Sequence, residues 1–108
     1  MPAWAVKHRR WLVPFLARPM PSLEERRRRA HYRAAHRGTR EMDWLLGRYA
    51  EAVVPAMSQA DLMDFERLLA VPDPALHAWI LLGEDMQGSE FAPLILAIRR
   101  FHGLGSLQ

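Results

Sequence analysis

Cysteine is absent from the 108 residues. That absence excludes disulfides, thiolate catalysis and every cysteine-ligated zinc site, and it fits a reducing compartment. No apolar run approaches the ~20 residues that a membrane-spanning helix requires, so the sequence predicts a soluble protein. Glycine is sparse, six residues in all, and no glycine-rich phosphate loop follows a strand, which leaves the usual modes of nucleotide binding without support. His8, His31, His36, His77 and His102 include no i, i+4 pair that would let one helix face grip a metal, and there is no H-E-x-x-H. Ser22, Ser58 and Ser89 all fall at expected helix starts, leaving only Ser106 in the tail for a hydrolytic triad. Glu41 and the Glu84-Asp85 pair read as solvated acids on a corner and in a polar loop. These absences predict no catalytic residue, no metal and no cofactor of the protein's own, hence a protein that acts by binding.

Charge is plentiful but unevenly placed. The net of +3 conceals eleven Lys/Arg against two Asp/Glu in residues 1–40, and four against ten in residues 41–108. A basic front and an acidic back make a polar molecule suited to steering toward a charged protein partner, with nucleic acid as the rival reading. The length corresponds to one domain with a modest core. Residues 1–21 differ from the rest: Trp4, Trp11, four Lys/Arg, no acid, and prolines at 2, 14, 19 and 21. Pro14 splits the apolar run that a signal peptide needs, and the lack of serine together with the prolines argues against a mitochondrial presequence. The stretch reads as a poorly ordered basic extension.

From Ser22 onward the pattern is helical throughout. Ser22 with Glu25 has capping-box spacing, and no breaker interrupts the Arg- and Ala-rich segment from about Leu23 to His36. Its four consecutive arginines, 26–29, point in four directions, the usual mark of a solvated face. Met42, Leu45, Leu46, Tyr49 and Val53 form the apolar stripe of a second helix ending near Val53-Val54-Pro55. Ser58 opens a third, with Leu62, Phe65, Leu68 and Leu69 inward. Asp73 is expected to cap a fourth whose first residue is Pro74, with Leu76, Trp79, Ile80 and Leu82 inward and Gly83 as terminator. Glu84–Gly88 reads as a loop. Ser89 or Glu90 should start a fifth helix carrying Leu94, Ile95, Ile98 and Phe101, and a tail follows over residues 104–108. The predicted fold is all-α: a single-domain bundle of five short helices over residues 22–103.

Between the first two helices lies Arg37-Gly38-Thr39-Arg40-Glu41. Gly38 accepts positive φ without a Cβ clash, as a helix-helix corner needs. Glu41, Trp44, Arg48 and Glu51 follow at steps of three and four on the polar face of the second helix. A tryptophan among exposed charges is what a docking surface presents. The plainer reading is an ordinary cap, a solvated Arg37–Glu41 pair, and Trp44 covering a neighbouring helix.

From about Ala30 to His102 the chain resembles the small helical SdhE-type flavinylation factors of succinate dehydrogenase, whose hallmark is R-G-x-x-E. Arg37, Gly38, Glu41 and Asp43 match, followed by Leu68-Leu69 and by Asp73-Pro74 with Leu76 and Trp79 in the family's order and spacing. The resemblance implies an all-α fold and an assembly factor, not an enzyme. Such a factor binds the apo flavoprotein subunit of succinate dehydrogenase, with fumarate reductase as a second candidate, and promotes covalent attachment of FAD to a histidine of that subunit. FAD would be the partner's cofactor, and the free factor would be a monomer. It would reside in the cytoplasm of a bacterium or in the mitochondrial matrix of a eukaryote. Carried over residue by residue, the resemblance makes Arg37, Gly38 and Glu41 partner-binding, with His36, Arg40, Asp43 and Trp44 lining the same patch. Thr39 stands where many relatives carry a larger apolar residue. The alternative function is a small basic helical nucleic-acid-binding module; the arginine run speaks for it and the acidic back half against it.

Overall fold

The computed structural model describes residues 21–84 and 89–104. Helix α1 spans Leu23–Ala35 and α2 spans Arg40–Val53, running into a 3-10 turn at Val54–Ala56. Helix α3 follows at Gln59–Leu69 and α4 at Asp73–His77, which continues into a wider π-type turn at Ala78–Leu82; α5 is Ala92–Phe101. No strand occurs among the described residues. The extension over residues 1–20 and most of the loop expected at Glu84–Gly88 lie outside them.

Local chemistry sets the helix starts. Ser22 Oγ accepts from the Glu25 N–H at 3.1 Å, and Ser58 Oγ accepts from the Asp61 N–H at the same distance, each satisfying a donor that the first turn leaves free. Two ends use glycine in the left-handed region. Gly83 has φ +66°, with the Glu84 N–H donating to Ala78 O at 3.0 Å. Gly103 has φ +69°, with the Leu104 N–H donating to Arg99 O at 2.9 Å. Leu104, just past it, is partly buried against the core.

Helix α2 carries the centre of the core. Met42, Leu45, Leu46 and Tyr49 are buried together with Leu62, Phe65, Leu68 and Leu69 of α3, Leu76, Ile80, Ile95 and Ile98. The α1 face against them is made of Ala30 and Ala34. These small side chains let the two helices approach so closely that a Cβ on Gly47 would stand 3.1 Å from Ala35 Cα and 3.2 Å from its Cβ. Gly47 therefore acts through packing, which a 3.6-residue hydrophobic pattern does not register.

Several expectations shift. Asp73 is the first helical residue of α4, preceded by Pro72, and its carboxylate goes to Arg37 instead of capping. Leu82 is 55% exposed, because two residues beyond Ile80 it falls on the far side of the turn. Helix α5 begins at Ala92, since Ser89 first makes its own turn by accepting from the Phe91 N–H at 3.1 Å. Phe101 is 44% exposed and meets Tyr49 edge-on at 5.6 Å. The arginine run is also not wholly solvated. Arg26 pairs with Glu66 of α3 at 2.5 Å, while Arg27 reaches Glu24 at 2.6 Å and donates to Met57 O at 2.8 Å. Arg99, given no role by the pattern, is buried and donates to Ile80 O and to Leu104 O, tying α5 to the turn before it.

Two predictions follow from the packing. Gly47→Val should lower the stability in urea by about 1–3 kcal/mol, the usual cost of overpacking a tight contact. Burial first, and the Asp61 charge second, raise the Tyr49 phenol above its ordinary value. A pKa raised on folding gives stability that is whole below the unfolded value of about 10 and lost as pH rises through the folded one. Denaturation midpoints should therefore fall more steeply above about pH 10 in the wild type than in Tyr49→Phe.

Candidate functional site at the helix corner

Helix α1 stops at Ala35 because His36 leaves the helical region, at φ −129° and ψ 57°. The His36 ring folds back along the helix. Its Nδ1–H donates to Tyr32 O at 2.7 Å, and the imidazole stacks on the Tyr32 ring at 4.0 Å with 19° between planes. Gly38 has φ +109°, and an added Cβ would meet nothing within 4 Å. Glycine is required there for backbone conformation alone, and the space outside it is open. Thr39 then caps α2, its Oγ1 accepting from the Met42 N–H at 3.3 Å.

Arg37 turns inward. Its side chain is 12% exposed, and its guanidinium donates from Nε to Asp73 Oδ1 at 2.8 Å, from Nη2 to Val71 O at 2.8 Å, and from Nη1 to Leu69 O. Nη2 also lies 2.7 Å from Asp73 Oδ1. The carbonyls of Leu69 and Val71 stand at and just beyond the end of α3, where helical partners run out and a cation is favoured. A planar fork of fixed donors suits three acceptors in one place. The surface pair with Glu41 that an i, i+4 spacing allows is therefore not formed; Arg37 clasps the corner onto the α3–α4 turn. Asp43 is likewise engaged within the chain. One carboxylate oxygen accepts from the Arg37 N–H and, at 3.2 Å, from the Gly38 N–H.

The outward residues are different ones. His36, Gly38, Thr39, Arg40, Glu41 and Trp44 are exposed. The Glu41 side chain is 57% exposed and stands 3.5 Å from His77 Nε2. Trp44 is 53% exposed, with its ring against His102 at 4.7 Å. The Nε2–H of His102 donates to Leu45 O at 2.6 Å, which fixes the imidazole beneath the indole. The corner can thus offer a glycine backbone, a carboxylate and an aromatic ring to a visitor, on a loop whose Arg37 and Gly38 N–H groups are already bound by Asp43. Its surroundings include Tyr32, His77 and His102, which the motif did not flag. The i, i+4 spacing of Tyr32 and His36 was a readable signal; the other two come from helices distant in sequence.

A family model described as the flavinator of succinate dehydrogenase matches residues 28–102. The chain belongs to this family. Among the flavinator relatives, the FAD assembly factor SdhE of Acetobacter pasteurianus is 46% identical over 59 residues, covering 55% of this chain and 54% of the relative. The mitochondrial succinate dehydrogenase assembly factor 2 of Dictyostelium discoideum is 31% identical over 80 residues, 74% of this chain and 56% of its own length. The FAD assembly factor SdhE of Coxiella burnetii is 34% identical over 64 residues, 59% of this chain and 78% of its own. The chain spans about half the length of the first two. No solved structure matches.

Removing the clasp tests its place in this flavinator fold. Arg37→Ala should cost about 2–3 kcal/mol, because it orphans Asp73 and two carbonyls. Arg37→Lys should recover little of that loss. A double-mutant cycle with Asp73→Ala, read by urea denaturation, should give clear non-additivity.

Proposed function

We propose that this protein is an assembly factor that binds the apo flavoprotein subunit of succinate dehydrogenase and promotes covalent attachment of FAD to a histidine of that subunit. Fumarate reductase is the second candidate partner. The observation that carries the reading is the R-G-x-x-E corner of a flavinator-family chain, clasped from behind by Arg37 and open in front at Gly38 and Glu41. Relatives named as FAD or succinate dehydrogenase assembly factors support the same role.

The factor works without chemistry of its own. Held against the partner, it keeps the flavin domain in a geometry where the partner's histidine and the partner's FAD react, which lowers the barrier by positioning. Glu41 accepts charge-assisted hydrogen bonds across the interface, Gly38 lets the partner's backbone approach, and Arg40, His36 and Trp44 border the contact. Arg37 and Asp43 set the shape of the loop from behind. The free protein is a monomer. It works in the compartment where the flavoprotein is assembled, the bacterial cytoplasm or the mitochondrial matrix.

The deciding experiment deletes the gene and follows covalent flavin in the dehydrogenase's large subunit by in-gel fluorescence. Loss of fluorescence on deletion, with rescue by wild type, is expected. Glu41→Ala leaves every hydrogen bond of the corner in place and should weaken partner binding by about 2 kcal/mol or more, with little rescue. Gly38→Ala and Gly38→Arg share the cost of a side chain at positive φ, about 1–3 kcal/mol. Only the arginine adds bulk, so its rescue should be the poorer. Fluorescence unchanged by the deletion removes the proposal.

A further inference from the structure

The arginines of α1 have different fates. Arg26 and Arg27 turn toward the bundle and are engaged by Glu66, Glu24 and Met57 O. Arg28 and Arg29 are exposed, as is Arg33 one turn further on, and none of the three forms an ion pair among the described residues. Residues 29, 32, 33 and 36 recur at steps of three and four, so Arg29 and Arg33 share one side of the helix with Tyr32 and His36. Tyr32 is 65% exposed. Its ring is held by stacking on His36, whose imidazole is in turn tied to Tyr32 O. An exposed aromatic already fixed in place loses little freedom when it is covered.

From this arrangement we infer that the outer face of α1, formed by Arg29, Tyr32, Arg33 and His36, is a second docking surface that takes an acidic segment of the flavoprotein subunit. The inference rests on the assembly-factor reading and deepens it. His36 ends α1 and lies two residues from Gly38, so the face runs directly into the corner and one partner can cover both. Two guanidiniums without an ion pair among the described residues, flanking an aromatic platform, match carboxylates set around an apolar or aromatic side chain.

Nucleic acid fits less well. The stretch from Arg29 to His36 covers only about 10 Å of helix. Glu24 and Glu25 precede it and Glu41 follows it. Arg28 and Arg40 are exposed beside it, but with the acids so near, the face offers a phosphate backbone a short cationic footprint and few counterions to release.

The test measures association of the full chain with the purified apo flavoprotein subunit at low salt and at about 0.5 M salt. The variants are Arg29→Glu/Arg33→Glu, Tyr32→Ala and Glu41→Ala, with helicity checked by circular dichroism. The double charge reversal should weaken binding about tenfold or more at low salt, and the deficit should shrink at high salt. Tyr32→Ala should weaken it at both. Wild-type affinity for the charge reversal at low salt, with Glu41→Ala still defective, overturns the second surface and leaves the corner standing. Loss of binding to a labelled single-stranded RNA on charge reversal, with subunit association untouched, overturns it in favour of nucleic acid. If the wild-type chain fails to bind the subunit at all, the assembly-factor reading falls and this inference falls with it.

Discussion

One guanidinium holds the loop between α1 and α2 against the turn between α3 and α4. The last carbonyls of a helix have no partner within it, and those of Leu69 and Val71 are met here by Arg37, while the same group neutralises Asp73 at the start of α4. Four helix ends are fixed relative to each other by a side chain that is nearly covered. Lysine, with a compact charge and no planar fork, would satisfy one of these acceptors well and the others poorly. The core of leucines and isoleucines supplies most of the driving force, but hydrophobic burial is non-directional and would tolerate small sliding of α2 over α3. The directional contacts at the corner remove that freedom.

From this follows a division of labour within a five-residue motif. Arg37 looks inward, and Asp43, two residues past the motif, binds the Arg37 and Gly38 N–H groups. Gly38 and Glu41 face out. A loop held in this way gives up little entropy if it is covered. It also means that loss of activity has two distinct physical origins in this motif. Substitutions of the inward residues misplace the loop, and substitutions of the outward residues leave it in place and change only what it presents.

Much of this architecture was readable in the chain. Ser22 and Ser58 marked helix starts by chemistry that operates within four residues, and the stripes on α2 and α3 placed every one of their leucines correctly. What escaped depends on partners far apart in sequence. Asp73 has the position of a cap, and only the fold brings it to Arg37, 36 residues away. The charge run 26–29 looks uniform until α3 supplies Glu66 for one member. Gly47 lies in a helix interior where a pattern of apolar residues shows merely a gap, and the gap is filled by Ala35 of another helix. The corner was legible as a motif, because glycine at a helix-helix turn and flanking ions are local features. The direction in which each ion points was not.

Gly38 carries a last implication for chemical biology. At φ +109° with empty space around the missing Cβ, the backbone has the handedness that a mirror-image amino acid favours. Chemical synthesis of the chain with D-alanine at that position would add a methyl group to the exposed corner at a φ whose sign a D-residue favours. Chirality would thereby separate what the corner requires of its own backbone from what a visitor requires of its shape, a distinction that the twenty genetically encoded residues cannot draw.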